Sequence, residues 1–320
     1  MIEITTTGGL ATVQDGGRRG SLRYGVGTAG AMDTMALAAA NLLLGNEENA
    51  AAIEIPIFPF AVRFTEACCF ALTGADCAAK LDGRPLLPWW THRGLAGQEL
   101  VLGLPQRASR SSRAYLALAG GLDVPEVLGS RSTQLRGAFG GHEGRALRAG
   151  DMLRAGSPDC PVGFGLTPPA LDLPLLVDDL PAVRVLPAAE YGCFTEASRD
   201  AFWANPWKIT AQSDRYGYRL AGEKLVFTEP VEMLSHGIVP GVLQVPPGGQ
   251  PIVQMSDAQP SGGYPKFGTV IEADLWRLGQ APIGSFIRFL KTDWDQAVAA
   301  LDANRAWLDE AKRLLDLRRM

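Results

Sequence analysis

The stretch Glu232–Val270, EMLSHGIVPGVLQVPPGGQPIVQMSDAQPSGGYPKFGTV, decides the reading of the fold. It holds two short apolar runs, Gly241–Val245 and Pro251–Met255, joined by Pro246-Pro247-Gly248-Gly249. Proline presets φ and glycine supplies positive φ, so the pattern predicts a tight β-hairpin. One polar residue interrupts each run, Gln244 in the first and Gln254 in the second. A polar, Gly- and Pro-rich segment follows, Ser256-Asp257-Ala258-Gln259-Pro260-Ser261-Gly262-Gly263-Tyr264-Pro265-Lys266. A hairpin that feeds such a loop is how a rigid sheet presents a small-molecule site.

Outward from the hairpin, strand-like segments recur with turn residues between them. They run 52–58, 61–64, 69–73, 78–81, 99–104 and 113–119 in the first half, and 183–186, 207–210, 224–227 and 285–290 in the second. The spacing predicts a barrel or sandwich, and the 37 glycines and 22 prolines agree with a turn-rich β fold. Helices are expected at about 31–44, closed by Gly45-Asn46, at 197–203, near 272–277 and at 293–317. In the last, Trp294, Val298, Leu301, Leu308 and Leu315 recur at near-helical spacing and predict a packing face. The fold class expected is mainly β with some α (α+β): two β-rich domains plus a C-terminal helix. The boundaries predicted are an N-terminal domain at 1–156, a Pro- and Leu-rich linker at 157–182, a second β domain at 183–292 and the helix at 293–320.

Composition excludes several functions. A net charge of −4 argues against non-specific nucleic-acid binding. No apolar run reaches the ~18 residues that span a bilayer, and MIEITTTGG at the start has neither a basic nor an apolar signal region. Five cysteines, Cys68, Cys69, Cys77, Cys160 and Cys193, form no C-x-x-C pair, so reduced thiols in a cytoplasmic protein are expected and no metal site. His92, His142 and His236 lack metal-ligand spacing. Gly25-x-Gly27-x-x-Gly30 imitates a dinucleotide fingerprint, with Glu54 as the imitation ribose-binding acid. The residues before it, Arg18 to Tyr24, could not fill a buried parallel strand, so the reading is rejected. Neither a phosphate-binding Gly-Lys-Ser/Thr loop nor a Gly-x-Ser-x-Gly elbow is present.

Three polar glycine-rich loops remain. The first carries Arg131, Ser132, Arg136, His142 and Arg145, the second Asp214, Arg215 and Arg219, and the third Asp257, Gln259, Ser261, Tyr264 and Lys266. Arginine offers a rigid fork for carboxylate or phosphate oxygens, and aspartate a proton acceptor or an anchor for such a fork.

Nearly the whole chain resembles the allophanate hydrolase subunit 2 family, also called KipA or the C-type subunit of 5-oxoprolinase. It is similar too to the second half of the carboxyltransferase domain of urea carboxylase. The stretches that carry the resemblance are Thr12–Arg18 (TVQDGGR), Gly30–Asp33, Ala40-Asn41 with Gly45-Asn46, Gly129–Thr133, Phe139–Arg145 (FGGHEGR), Ser213–Leu220 (SDRYGYRL), Gln244–Pro251 and Gly262–Lys266. The resemblance implies cyclophilin-like barrel character and action on a small amide or ureide beside a subunit 1 (KipI-like) partner. It implies one of three roles. The first is a subunit of ATP-dependent 5-oxoprolinase, with ATP and a further subunit belonging to the complex. The second is a biotin-dependent carboxyltransferase subunit acting on urea. The third is a non-catalytic regulator of a KipI-like partner. On the site, Asp257, Arg145 and Lys266 are the expected catalytic residues. Arg131, Ser132, His142, Asp214, Arg215, Arg219, Gln244, Gln259, Ser261 and Tyr264 are the expected substrate-binding ones, with the three loops meeting in one cleft. The chain departs from the family pattern at Ser256–Ser261, where Ala-Asp-Arg-Gln-Thr-Thr is usual and an arginine and a threonine hydroxyl are absent. It also lacks a Met-Lys-Met biotin-attachment site.

Overall fold

The computed structural model describes residues 1–106, 110–156 and 163–319, so Cys160 and the start of the stretch read as a linker lie outside the described residues. Two compact units emerge: Met1–Arg19 with Ala29–Asp172 and Arg305–Met320, and Gly20–Thr28 with Leu173–Asn304.

The first unit holds β1 (Ile2–Thr6), β2 (Thr12–Gln14), α1 (Thr34–Leu44), β3 (Ala52–Ile55), β4 (Phe60–Phe64), β5 (Cys68–Gly74), β6 (Lys80–Leu81), β7 (Arg84–Pro85), β8 (Trp90–Gly94), β9 (Glu99–Leu102), β10 (Ala114–Leu118), β11 (Met152–Leu153) and α2 (Pro169–Asp172). The strands make two antiparallel sheets, ordered β11-β1-β4-β9-β6-β7 and β2-β3-β10-β5-β8. Alternation along the strands sorts the core into layers. Ile2, Ile4, Phe60, Val62 and Phe64 of one sheet meet Ile53, Ile55, Phe70, Leu72 and Leu116 of the other in a single apolar cluster. The opposite face of the second sheet, with Ala52, Cys69, Ala71, Tyr115 and Ala117, packs on α1. Because α1 lies inside this layer, every residue from Met35 to Leu44 is buried. Asp33 caps its start by accepting from the Ala36 amide at 2.8 Å, and Gly45 ends it at φ 76°.

The second unit holds β12 (Leu176–Val177), β13 (Leu180–Pro187), α3 (Glu196–Ala204), β14 (Trp207–Ile209), β15 (Gly217–Ala221), β16 (His236–Gly237), β17 (Val242–Gln244), β18 (Ile252–Gln254), β19 (Ser261–Gly262), β20 (Lys266–Val270), α4 (Leu275–Gln280) and β21 (Phe286–Lys291). Helix α5 (Trp294–Arg319) contributes its first part here and its last part to the other unit. Seven strands close a barrel in the order β13-β20-β17-β18-β15-β14-β21, and β21 returns to β13. An odd number of strands cannot alternate direction all the way round. One junction must be parallel, and it is β13–β21, with Ala182 opposite Arg288 and Val185 opposite Lys291. Phe202 of α3 fills one part of the unit, with ring centroids 4.1 Å from Phe267, 5.1 Å from Phe289 and 5.3 Å from Trp207.

The mainly β fold with few helices, and its barrel character, agree with the sequence reading. The central hairpin forms as expected: Leu243 pairs with Val253 and Gln244 with Ile252, and the Gly249 amide donates to Pro246 O across the turn at 2.9 Å. Three expectations need correction. Residues 224–227 form no strand; Phe227 makes one isolated bridge to Phe194, because the preceding residues turn over the Trp207 ring at Gly222. The later part of the stretch read as linker is already sheet, in β12 and the start of β13. The C-terminal helix is not packed through Trp294 and Leu301, which are 71% and 44% exposed; Leu315, at 3%, is buried against α1. No doubly wound sheet follows Gly25–Gly30: the sheets of the first unit are antiparallel, and Glu54 is buried, accepting from Tyr115 Oη at 2.7 Å and from the Met32 amide at 2.8 Å.

Candidate functional site

In the second unit, the barrel hairpin sets the geometry. The pleat puts Gln244 and Gln254 on one face of it, because Gln244 lies opposite Ile252, two residues before Gln254, while Leu243 and Val253 point the other way. The two amides bond to each other, Gln254 Nε2 donating to Gln244 Oε1 at 3.1 Å. They are only 2% and 5% exposed. Lys266 of β20 stands across from Gln244. Its ammonium lies 2.5 Å from His236 Nε2 and 3.4 Å from Glu190 Oε1. The other imidazole nitrogen, Nδ1, contacts Leu234 O at 3.1 Å, so an Nδ1–H tautomer leaves Nε2 free to accept from the lysine. The small ribbon β16–β19 pairs His236 with Gly262 and Gly237 with Ser261.

The two predicted loops of this unit do meet. Arg215 donates from Nε to Asp257 Oδ2 at 3.0 Å and from Nη2 to Oδ1 at 2.8 Å. Tyr216 Oη donates to Gln259 Oε1 at 2.6 Å. Asp214 is exposed and shapes its own turn, accepting from the Tyr216 and Gly217 amides at 2.8 and 3.1 Å. Gly27 lies against the same loop: a Cβ there would stand 2.7 Å from Ala258 O. Close backbone approach, rather than a phosphate, accounts for that glycine. Arg219, Ser261 and Tyr264 are exposed.

The loop 131–145 belongs to the first unit and is organised by Asp15, which sequence reasoning did not single out. Asp15 Oδ1 accepts from Ser130 Oγ, Ser132 Oγ and the Gly17 amide at 2.7, 2.5 and 2.8 Å, and Oδ2 accepts from the Arg131 amide at 2.5 Å. Ser132 is therefore fully engaged, and the Arg131 guanidinium reaches Glu126 at 3.3 Å. Arg145 grips Asp151 with both Nη atoms, at 2.7 and 2.9 Å, and also Glu143. His142 Nε2 lies 3.5 Å from Asp151. Hydrogen bonds from Arg145 hold the Asp151 carboxyl down to about 2. Burial pushes the Cys77 thiol up to about 12 and Cys68 up to about 11, which holds both thiols in the neutral form. Among the described residues no His, Cys, Asp and Glu group could hold a metal ion, and no helix is long and apolar enough to cross a membrane.

Residues 24–291 match the family described as carboxyltransferase domain, subdomain A and B. The chain belongs to that family. As a carboxyltransferase-domain chain it is 45% identical to the C-type subunit of 5-oxoprolinase from Escherichia coli K12, over 97% of each chain. It is 41% identical to the C-type subunit of 5-oxoprolinase from Haemophilus influenzae, over 99% of each. Among solved structures, the urea carboxylase of Kluyveromyces lactis superposes with a TM-score of 0.88 at 27% identity, covering 97% of this chain and 29% of that one. Like the urea amidolyase of Lachancea kluyveri, 32% identical over 92% of this chain and 17% of its own, it is a far longer polypeptide in which the carboxyltransferase-domain chain matches one part.

Of the residues in this cluster, the sequence reading placed Gln244 and Lys266 in a site. It reads Gln254 only as an interruption of an apolar run, gives His236 no metal-ligand spacing, and does not single out Glu190. The signal for Gln254 was present: two glutamines at matching positions of a predicted hairpin fall on one face.

Proposed function

We infer that this chain is the C-type subunit of a heteromeric 5-oxoprolinase, opening 5-oxoproline to glutamate. The observation that carries the reading is the 45% identity to a protein of that name over 97% of both chains. In the reaction the lactam C–N bond breaks, a water oxygen becomes a carboxylate oxygen, and the ring nitrogen leaves as an amine with an added proton. The amide carbonyl must be held, and negative charge developing on its oxygen must meet fixed donors. The Gln244 amide and the Arg215 fork held by Asp257 are the donors this unit offers to that oxygen, and the Lys266 ammonium is its cation for the substrate's carboxylate. ATP would drive the step within the complex, bound by another subunit. The start of α1, which follows the Gly25–Gly30 glycines, carries its own carboxylate at Asp33. A KipI-like subunit 1 and a further subunit would complete the enzyme in the cytoplasm, where the free cysteines Cys68, Cys77 and Cys193 would stay reduced.

A second reading, carboxyl transfer from biotin to urea, is favoured by the likeness to urea carboxylase and urea amidolyase. It requires a biotin-carrying partner. The two separate in one experiment. The chain is co-expressed with the proteins encoded beside it, and the purified complex is assayed for ATP-dependent glutamate release from 5-oxoproline and for carboxyl transfer from carboxybiotin to urea. Glutamate release is expected. Its absence in every combination of subunits, with carboxyl transfer present, overturns the first reading in favour of the second.

A further inference from the structure

Several buried polar atoms of the second unit have no hydrogen-bond partner, and three of them belong to side chains linked to Lys266 directly or through one another: Gln244 Nε2, Gln254 Oε1 and Glu190 Oε2. Gln244 is the cross-strand neighbour of Lys266, and Gln254 is bonded to Gln244. Glu190 presents its other oxygen to the lysine at 3.4 Å. Protein interiors leave very few such groups unmet, and a cluster of them calls for an explanation. The glutamine pair is the most informative member. Each amide spends one end on the other and leaves one end unspent, a donor on Gln244 and an acceptor on Gln254. Turning both amides end for end keeps their mutual bond and again leaves one donor and one acceptor.

We propose that the Gln244–Gln254 pair reads the cis-amide edge of a lactam, with Lys266 beside it to receive the substrate's carboxylate. The inference rests on the 5-oxoprolinase reading and assigns that reaction a binding subsite. A five-membered lactam holds its N–H and C=O on one edge, so one donor and one acceptor on the same hairpin face can meet both. An open-chain trans amide points them in opposite directions and can meet only one. Urea shares the edge but has no carboxylate for the lysine. The ribbon of His236–Gly237 and Ser261–Gly262 covers the pair: a Cβ on Gly262 would lie 2.4 Å from Gln244 Nε2. The subsite opens when this ribbon lifts. The ribbon has only two residues on each side, and Leu234, two residues before His236, is 91% exposed, while Ile238 after it is buried and would act as its hinge.

The test uses the assembled complex and two substrates, 5-oxoproline and N-methyl-5-oxoproline, which lacks the N–H. The wild type is expected to prefer 5-oxoproline strongly. Gln254→Leu and Gln244→Leu are each expected to raise KM for 5-oxoproline at least tenfold, and the one of the two that removes the free acceptor to shrink the preference over the N-methyl compound. A general loss of structure lowers turnover of both substrates alike and leaves their ratio unchanged. Variants within twofold of wild type, or an unchanged ratio, overturn the subsite and leave the 5-oxoprolinase reading standing. Should neither variant fold, the wild type decides alone, since equal turnover of the two substrates overturns the proposal. A wild-type complex that opens no 5-oxoproline overturns the reading and the subsite together.

Discussion

Arg215 and Asp257 are 42 residues apart in sequence and meet in a two-pronged ion pair at 3.0 and 2.8 Å, while the Asp257 amide donates to Arg215 O at 2.9 Å. Both residues are buried, at 7% and 5% exposure. The pair therefore ties the loop before β15 to the loop after β18 by side chain and backbone together. Asp257→Ala takes away the carboxylate that grips the buried Arg215 guanidinium at two points, and is expected to cost about 3–5 kcal/mol in unfolding free energy. Replacing both, Arg215→Met with Asp257→Leu, removes the buried charge as well and should recover much of that loss. Urea denaturation of the three proteins measures both effects. A single variant as stable as wild type would mean that the pair does not organise these loops.

Asp151 gives the first unit an acid-sensitive clasp. Hydrogen bonds from Arg145 lower its carboxyl from the ordinary 3.8 to about 2. The folded value lies below the unfolded one, so the clasp contributes its full stability above about pH 4 and loses it as the pH falls toward 2. The sign is that of a group that binds protons more readily when unfolded. Asp151→Asn removes this component. Its melting temperature should fall below wild type at pH 6, and the gap between the two should narrow at about pH 2.5. Parallel melting curves across that range would count against the clasp.

The hairpin, the buried helix and the β-rich class were legible because local rules govern them. Pro-Pro-Gly-Gly fixes a reversal between two apolar runs, and Asp33 and Gly45 bracket α1 with its own caps. The closure of the barrel was not legible. It depends on a parallel pairing between Ala182 and Arg288, and periodicity carries no information about partners that far apart. Residues 224–227 read as a strand from their apolar content, yet find only one bridging partner. At the site, sequence could place Gln244 and Lys266 in polar surroundings, but not bring Glu190 and His236 to the same ammonium, since an intervening 3-10 turn and ribbon do that.

Gly141 tests how tightly the loop after Ser132 is folded upon itself. It adopts φ +55°, and a Cβ there would stand 1.9 Å from Thr133 Oγ1, whose hydroxyl donates to Val13 O at 3.0 Å. Gly141→Ala therefore imposes a left-handed alanine and displaces a buried hydrogen bond. Strain of this kind costs of order 1–3 kcal/mol before the lost bond is counted. Gly150, at φ +91° with open space around it, is the control: Gly150→Ala has the backbone strain without the collision, and should be the milder of the two in thermal melts.

The C-terminal helix separates pattern from packing. Trp294 and Leu315 both belong to the apolar stripe visible in the sequence, but one is 71% exposed and the other 3%. Leu315 joins Leu42, Leu43 and Leu44 of α1 in one apolar cluster, where Arg319 also donates to the carbonyls of Leu42 and Leu43. Leu315→Ala removes buried side-chain volume and leaves a cavity, which costs about 2–5 kcal/mol. Trp294→Ala removes an exposed ring that contributes little to folding, and should stay within about 0.5 kcal/mol of wild type. Denaturant midpoints of the two single variants and of the double decide the matter. The effects should add in the double, because the residues lie about 21 positions apart on a helix that rises about 1.5 Å per residue. If Trp294→Ala proves as costly as Leu315→Ala, the stripe is a continuous packing face along the whole helix, and burial of Leu315 is not what anchors it.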